Sequence, residues 1–375
     1  LATSISQKHP KHSLSWKILA SILTQNGRIN EALIPLQKIV ELEPNDPISH
    51  FNLGNVLYPL GRYKETEASL KKAIILKPDF ATAHYNLGNI LQNNGKLEEA
   101  ESCYKKAIEH RQNYAEAYNN LGTVLHQFGK LQEALESYQK AIEIKINYDE
   151  AYNNLGTTFH ELRKFEEAEA SYRKAISLNS NYGEAYGNLG LTLYELGNLE
   201  DSILMCRKAI ALKKDYAETY NTLGLSLELS SRFDEAELSF IRAIKYKPNF
   251  PQAYNNLGNL LKNLGRLKEA YNYYNQALRL KPDFAEVSHI LASLNGNTTK
   301  TAPKDYIEKL FDKYALNFED SLVDKLGYNI HKVIANLILQ ENKGASLGSV
   351  LDLGCGTGLA GLEVSASCEY LEGID

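Results

Sequence analysis

Cysteine, methionine and tryptophan are scarce: four, one and one in 375 residues. Cys103, Cys206, Cys355 and Cys368 show neither metal-ligand nor disulfide spacing. That argues against a stapled secreted scaffold and for a reducing, cytoplasmic setting. No apolar run approaches the roughly 20 residues of a membrane span, and no signal peptide is visible. Charge of one sign is lacking too: 41 Lys and Arg face 46 Asp and Glu, a net of −5 spread along the chain. A nucleic-acid partner wants a basic stripe, so none is expected. The only methionine is Met205, the chain starts at Leu1, and it stops at Asp375 just after an apolar stretch. The expectation is an internal piece of a longer protein.

What the sequence has is a repeated phrase. Asn-Leu-Gly or a close variant ends at Gly54, Gly88, Gly122, Gly156, Gly190, Gly224 and Gly258, each 34 residues after the last. A fixed period of that size marks a solenoid, in which each unit buries its apolar face on its neighbour. With the glycine at position 8, units begin at Ser13, Pro47, Ala81, Ala115, Asp149, Gly183, Ala217 and Pro251. In the unit from Ala115, Tyr118, Leu121, Gly122 and Leu125 recur at helical spacing, Gly129 punctuates a turn, and Leu131, Ala134, Leu135, Tyr138, Ala141 and Ile142 form a second apolar face. Small Gly122 and Ala134 would let the two helices approach closely. Pro10, Pro44, Pro78, Pro248 and Pro282 fall on the same grid, where proline stops a helix; Gln112, Ile146, Ser180 and Lys214 stand there in the middle units. Pro59 should end its first helix early.

The spacing Trp16, Leu19, Ala20, Ala32, Pro44 and its later echoes resembles the tetratricopeptide repeat (TPR). The resemblance implies a mainly α fold, a TPR α-solenoid winding as a right-handed superhelix of helix pairs. Residues 1–12 fit the tail of a preceding unit, 13–284 eight units, 285–296 a capping helix and 297–303 a linker. Helices are then expected over 304–313, 315–325 and 330–339, within a helical lead-in at 304–343, followed by a strand at 347–353, a helix at 361–368 and a second strand at 370–374.

Within each first helix, positions 4, 7, 8 and 11 point into the packing and positions 2, 6, 9 and 13 point the other way. Position 6 is Asn52, Asn86, Asn120, Asn154, Asn188 and Asn256, with Thr222 the exception; position 9 adds Asn55, Asn89, Thr123, Thr157 and Asn259. First helices of stacked pairs commonly line a concave surface, so a ladder of amides along a groove is expected. An amide offers two donors and an acceptor, which suits a polypeptide backbone of any sequence. The ladder resembles the repeat arm of protein O-GlcNAc transferases. The competing account is that asparagine recurs only because the repeats duplicated recently and the site is solvated. The tyrosine-rich faces read as core.

The last motif is an apolar strand running into Asp352-Leu353-Gly354-Cys355-Gly356-Thr357-Gly358, with Asp375 21 residues after Gly354 at the end of the next strand. A glycine loop there lets a ligand approach the backbone. The phrase resembles the first motif of class I S-adenosylmethionine-dependent methyltransferases, an α/β Rossmann-like fold, truncated here to its beginning over 344–375. By that resemblance Asp352, Gly354, Cys355, Gly356 and Gly358 border the methionine part of the cofactor and Asp375 holds the ribose. Tyr314 and Phe318, in the lead-in, are candidates for a lid over the cofactor or for simple packing. A nicotinamide dinucleotide would more commonly show GxGxxG. The resemblance puts catalytic groups on later strands, so none is expected in these residues, and turnover by this piece alone is not expected. Three functions compete: a TPR arm recruiting a protein or peptide for a tethered methyltransferase, an interaction scaffold alone, and a glycosyltransferase arm, which the glycine phrase argues against.

Overall fold

The structure, a computed structural model, describes residues 10–297, 303, 330–341, 349–353 and 365–374. It divides into two units, Leu1–Pro248 and Asn249–Asp375. The first is a run of helix pairs on the 34-residue grid. First helices span Ser13–Gln25, Pro47–Leu57, Ala81–Asn93, Ala115–Gln127, Asp149–Glu161, Gly183–Glu195 and Ala217–Leu229. Second helices span Ile29–Leu42, Tyr63–Leu76, Leu97–His110, Leu131–Ile144, Phe165–Leu178, Leu199–Leu212 and Phe233–Tyr246. Pro59 does shorten its helix: Pro47–Leu57 has 11 residues where the other first helices have 13. Tyr58 before it keeps helical dihedrals (φ −60°, ψ −55°), and the ladder stops because proline has no N–H to continue it. Pro35, by contrast, is absorbed inside the helix Ile29–Leu42.

The turn inside each pair needs a left-handed residue. Gly27, Gly61, Gly95, Gly129 and Gly197 supply it with φ of 70 to 77°. Arg163 and Ser231 take the same conformation, at φ 57° and 60°, in the units from Asp149 and Ala217. The turn is therefore set by the helix geometry on either side, and glycine is its least strained occupant.

Proline is not what stops the second helices. Those followed by Gln112, Ile146, Ser180 and Lys214 end in register with those followed by proline. In both cases the residue after the helix turns extended while its N–H still reaches back to an alanine carbonyl, as Lys77 does to Ala73 and Lys145 to Ala141, both 2.9 Å. A basic side chain at that residue then lies over the aromatic that closes the unit: Arg111 is 4.5 Å from the centre of the Tyr114 ring, and Lys145 is 4.3 Å from that of Tyr148.

In the pairs that contain Gly88, Gly122, Gly156 and Gly224 the core is a ring laid on that glycine; Gly54 meets Leu70 and Gly190 meets Cys206 instead. A Cβ built on Gly122 would sit 2.7 Å from Cε1 of Tyr138, and one on Gly88 or Gly156 would meet Tyr104 or Tyr172 as closely. The alanine of the second helix is closed off as well: Ala100, Ala134 and Ala168 are fully buried. Burying each such ring contributes on the order of 2 kcal/mol. Arg–Glu pairs opening the second helices, such as Arg62–Glu65 at 2.6 Å, are exposed and contribute little.

The second unit continues the pattern with Pro251–Asn263 and Leu267–Leu280, and Tyr274 lies on Gly258. Ala285–Leu294 follows as the expected single helix and ends at Asn295 and Gly296. A further helix spans Ile330–Glu341. The helices expected over 304–313 and 315–325 lie outside the described residues. Strand β1 (Ser349–Leu353) pairs in parallel with β2 (Tyr370–Ile374), with Leu353 opposite Ile374. Among the described residues, the helix expected over 361–368 is a 3₁₀ turn at Ser365–Ser367, closed by Cys368 N–H to Ser365 O at 3.2 Å. Its two serines favour turns over helix interior.

Candidate functional site

The position-6 asparagines occupy one face of the first helices, and none is buried: Asn52 is exposed, and Asn86, Asn120, Asn154, Asn188 and Asn256 are half-buried. Thr222, the exception in the row, is buried, and its hydroxyl donates to Glu218 O.

Each amide in the first unit from Asn86 to Asn188 reaches back to the preceding repeat. Asn86 Nδ2 donates to Asn55 Oδ1 at 2.7 Å and Asn120 Nδ2 to Asn89 Oδ1 at 2.9 Å, both at position 9. Two repeats further on the acceptor changes. Asn154 Nδ2 donates to Asn119 Oδ1 at 3.1 Å and Asn188 Nδ2 to Asn153 Oδ1 at 3.2 Å, both at position 5. The cause is in the side chains. Position 9 becomes Thr123 and Thr157, too short to reach across and turned to the carbonyls of Asn119 and Asn153. Position 5 changes in the opposite sense. Phe51 and Tyr85 pack on Phe80 and Tyr114 at 4.8 and 4.9 Å, whereas Asn119 and Asn153 can accept.

A second tether comes from below. Tyr104 OH donates to Asn89 Oδ1 at 2.8 Å, Tyr172 OH to Thr157 at 3.1 Å, and Tyr138 OH to Thr123 at 3.3 Å. Burial pushes the Tyr138 hydroxyl up to about 12, and those of Tyr104 and Tyr172 upward as well, so all three stay neutral donors. The amide row is thus fixed from two directions. Asn86, Asn154 and Asn188 each spend one N–H on this scaffold. A second N–H and the carbonyl oxygen remain on an accessible face. Further along the helices His126 Nε2 lies 3.2 Å from Glu161, and burial depresses the pKa of His160, leaving it neutral at pH 7.

Sequence reasoning named position 6 and missed Asn119 and Asn153. The doublets Asn119-Asn120 and Asn153-Asn154 were the available signal. Position 5 belongs to neither of the two faces that helical spacing assigns, and it is aromatic in two units, Phe51 and Tyr85.

For the glycine phrase, β1 carries Asp352; Gly354, Cys355, Gly356, Gly358 and Asp375 lie outside the described residues. Among the described residues no cluster of His, Cys, Asp or Glu could hold a metal ion, and no helix is long and apolar enough to cross a membrane.

The comparisons with known proteins agree with the helix pairs. The family described as tetratricopeptide repeat matches residues 79–147, 115–181, 153–217, 217–250 and 251–284, and the related TPR repeat matches 54–95. No curated protein matches. Among solved structures, the chain is similar to the APC/C hetero-tetramer Cut9–Hcn1 at 16% identity and TM-score 0.56, over 76% of this chain and 56% of that one. It is similar to Pseudomonas aeruginosa pilF at 21% identity and TM-score 0.51, over 57% of this chain and 97% of that one. A third, YrrB, described as a TPR protein with an unusual peptide-binding site, matches at 24% identity and TM-score 0.42, over 50% of this chain and 96% of that one. With family matches running unbroken from residue 54 to 284 over helix pairs of 34-residue period, the chain belongs to the tetratricopeptide-repeat family.

Proposed function

We propose that the first-helix face holds an extended polypeptide by its backbone, and that the residues from 304 onward open an S-adenosylmethionine-dependent methyltransferase domain acting on that polypeptide or on something it carries. The observation that carries the first half is the amide row. Asn86, Asn154 and Asn188 are half-buried, each anchored by one N–H, with donor and acceptor capacity left over on each of the three. Groups held in place before binding lose little freedom when a ligand arrives.

Support for the second half is the glycine phrase together with the strand pair. Strands β1 and β2 run in parallel with Leu353 opposite Ile374. The chain therefore leaves both strands at the same end, towards Gly354 and Asp375. That is the arrangement a nucleoside needs if a glycine loop and an acidic residue are to meet it together. When bound, the cofactor would supply an electrophilic methyl group on sulfonium sulfur. The task of the chain's own residues is to bind and orient: Asp352 and the glycines at the methionine end, Asp375 at the ribose, and the repeats as the arm that raises local substrate concentration.

A second reading, an interaction scaffold alone, is favoured by the family matches above, which fall within 54–284. Calorimetric titration of the full-length protein with S-adenosylmethionine separates the two. The expected result is one saturable site, weakened more than about tenfold by Gly356→Arg and by Asp352→Ala. Absence of heat and of cofactor protection against unfolding would leave the scaffold.

A further inference from the structure

In the unit from Pro47 the repeat's own ring is missing. Position 24 is Tyr104, Tyr138 and Tyr172 in the three units that follow, and Tyr274 in the unit from Pro251; here it is Leu70. The glycine that accommodates the ring is still present: a Cβ on Gly54 would stand 3.1 Å from Leu70 Cγ. The space the ring would fill is a pocket of about 260 Å³, lined among others by Gly54, Asn55, Tyr58, Thr66, Leu70 and Asn86. An apolar cavity of about 150 Å³ suffices to take benzene.

The acceptor for a phenol is present as well. Where position 9 is asparagine and position 24 is tyrosine, the two bond: Tyr104 OH to Asn89 Oδ1 and Tyr274 OH to Asn259 Oδ1, each at 2.8 Å. Of the three units with asparagine at position 9, the one with Asn55 has no such tyrosine; the units with Leu36, Cys206 and Phe240 at position 24 lack the asparagine as well. Its side chain is held by Asn86 Nδ2 at 2.7 Å. Tyr58 stands at the pocket with 40% of its surface exposed, just past the helix end that Pro59 brings forward, and its hydroxyl accepts from Asn93 Nδ2 at 2.8 Å.

We infer that this pocket takes the phenol ring of a tyrosine side chain from a bound polypeptide, with its hydroxyl donating to Asn55 Oδ1. The ring substitutes in trans for the tyrosine the repeat lacks. The source of that tyrosine rests on the groove proposed above; the affinity of the pocket for a phenol does not.

The test uses p-cresol and toluene as probes on the full chain, followed by amide NMR shifts. The expected result is saturable binding with shifts at Asn55, Thr66 and Asn86, and p-cresol favoured over toluene by about tenfold for the hydroxyl bond. Leu70→Tyr should fill the pocket and abolish binding of both probes with helical circular dichroism unchanged. Asn55→Leu, which leaves the pocket but removes the acceptor, should abolish only the preference for p-cresol. A polypeptide with one tyrosine should protect the same amides, and lose that protection when the tyrosine becomes alanine. No saturable p-cresol binding, or equal binding by the Leu70→Tyr protein, overturns the pocket. Cresol binding with peptide binding indifferent to its tyrosine overturns the assignment of the occupant. Absence of any polypeptide binding, with the cresol site intact, overturns the groove as its source.

Discussion

Replacing Gly122 by alanine is expected to cost about 1–3 kcal/mol, the usual range for overpacking a filled interior. The new methyl group would stand 2.7 and 2.9 Å from two ring carbons of Tyr138, and that ring is 2% exposed with its hydroxyl bonded to Thr123. A ring pinned at both ends cannot swing away, so the helices must separate. The same chain shows how the clash is relieved. Its first unit has Ala20 at the glycine position and Leu36 at the tyrosine position, both 4% exposed in one core cluster. Alanine is therefore compatible with a leucine partner. The expectation is a strong coupling: in a Tyr138→Leu background, Gly122→Ala should cost less than in the parent by about 1 kcal/mol or more, within the range for residues in contact. Urea unfolding followed by far-ultraviolet circular dichroism measures the cycle. An equal cost in both backgrounds would mean that the glycine serves the helix backbone and not the ring.

The second large effect belongs to the amide row. Changing Asn86, Asn120, Asn154 and Asn188 together to alanine should lower affinity for an extended polypeptide roughly 100-fold, near 2.7 kcal/mol. Stability should fall by about 4 kcal/mol in all: Asn55 and Asn89 regain water when their donors are removed, whereas Asn119 and Asn153, 0% and 1% exposed, are left as buried acceptors without a donor. Asn52→Ala should cost binding much less, since Asn52 is exposed and lacks the anchoring bond to a preceding repeat that the others have. Isothermal titration and chemical unfolding on the same variants separate the two quantities. A variant set that lost stability and affinity in proportion would point to repeat packing as the role of the row.

Much of this was legible in the sequence, and the reasons differ from residue to residue. The period, the helix pairs and the early stop at Pro59 follow from local rules: glycine where φ must be positive, proline where a helix cannot continue, apolar spacing of 3 and 4. The close approach at Gly122 was readable because glycine and a large ring sit 16 residues apart in several units. The bonding pattern of the amides was not. Whether Asn154 reaches the residue 31 or 35 positions earlier depends on which acceptor is long enough, and that is settled by Thr123 and Asn119 in the folded unit. Left-handed Arg163 and Ser231 were hidden because their residue types prefer other conformations, and neighbouring helices impose this one. The equal helix ends with and without proline show a grid maintained by packing between units. At the other end of the chain, the strand at Tyr370–Ile374 appears as expected, and β1 over Ser349–Leu353 falls within the expected 347–353, whose first two residues lie outside the described residues.

The central claim is that the amide row reads a polypeptide backbone and not a side-chain sequence. Titrating the protein with an extended peptide, a version with its non-aromatic residues shuffled and a version N-methylated along its backbone tests it most directly. The account predicts that shuffling changes affinity less than about threefold, while N-methylation, which removes backbone donors without changing residue order, lowers it more than about tenfold. Full affinity for the methylated peptide, or loss of binding on shuffling, would contradict it.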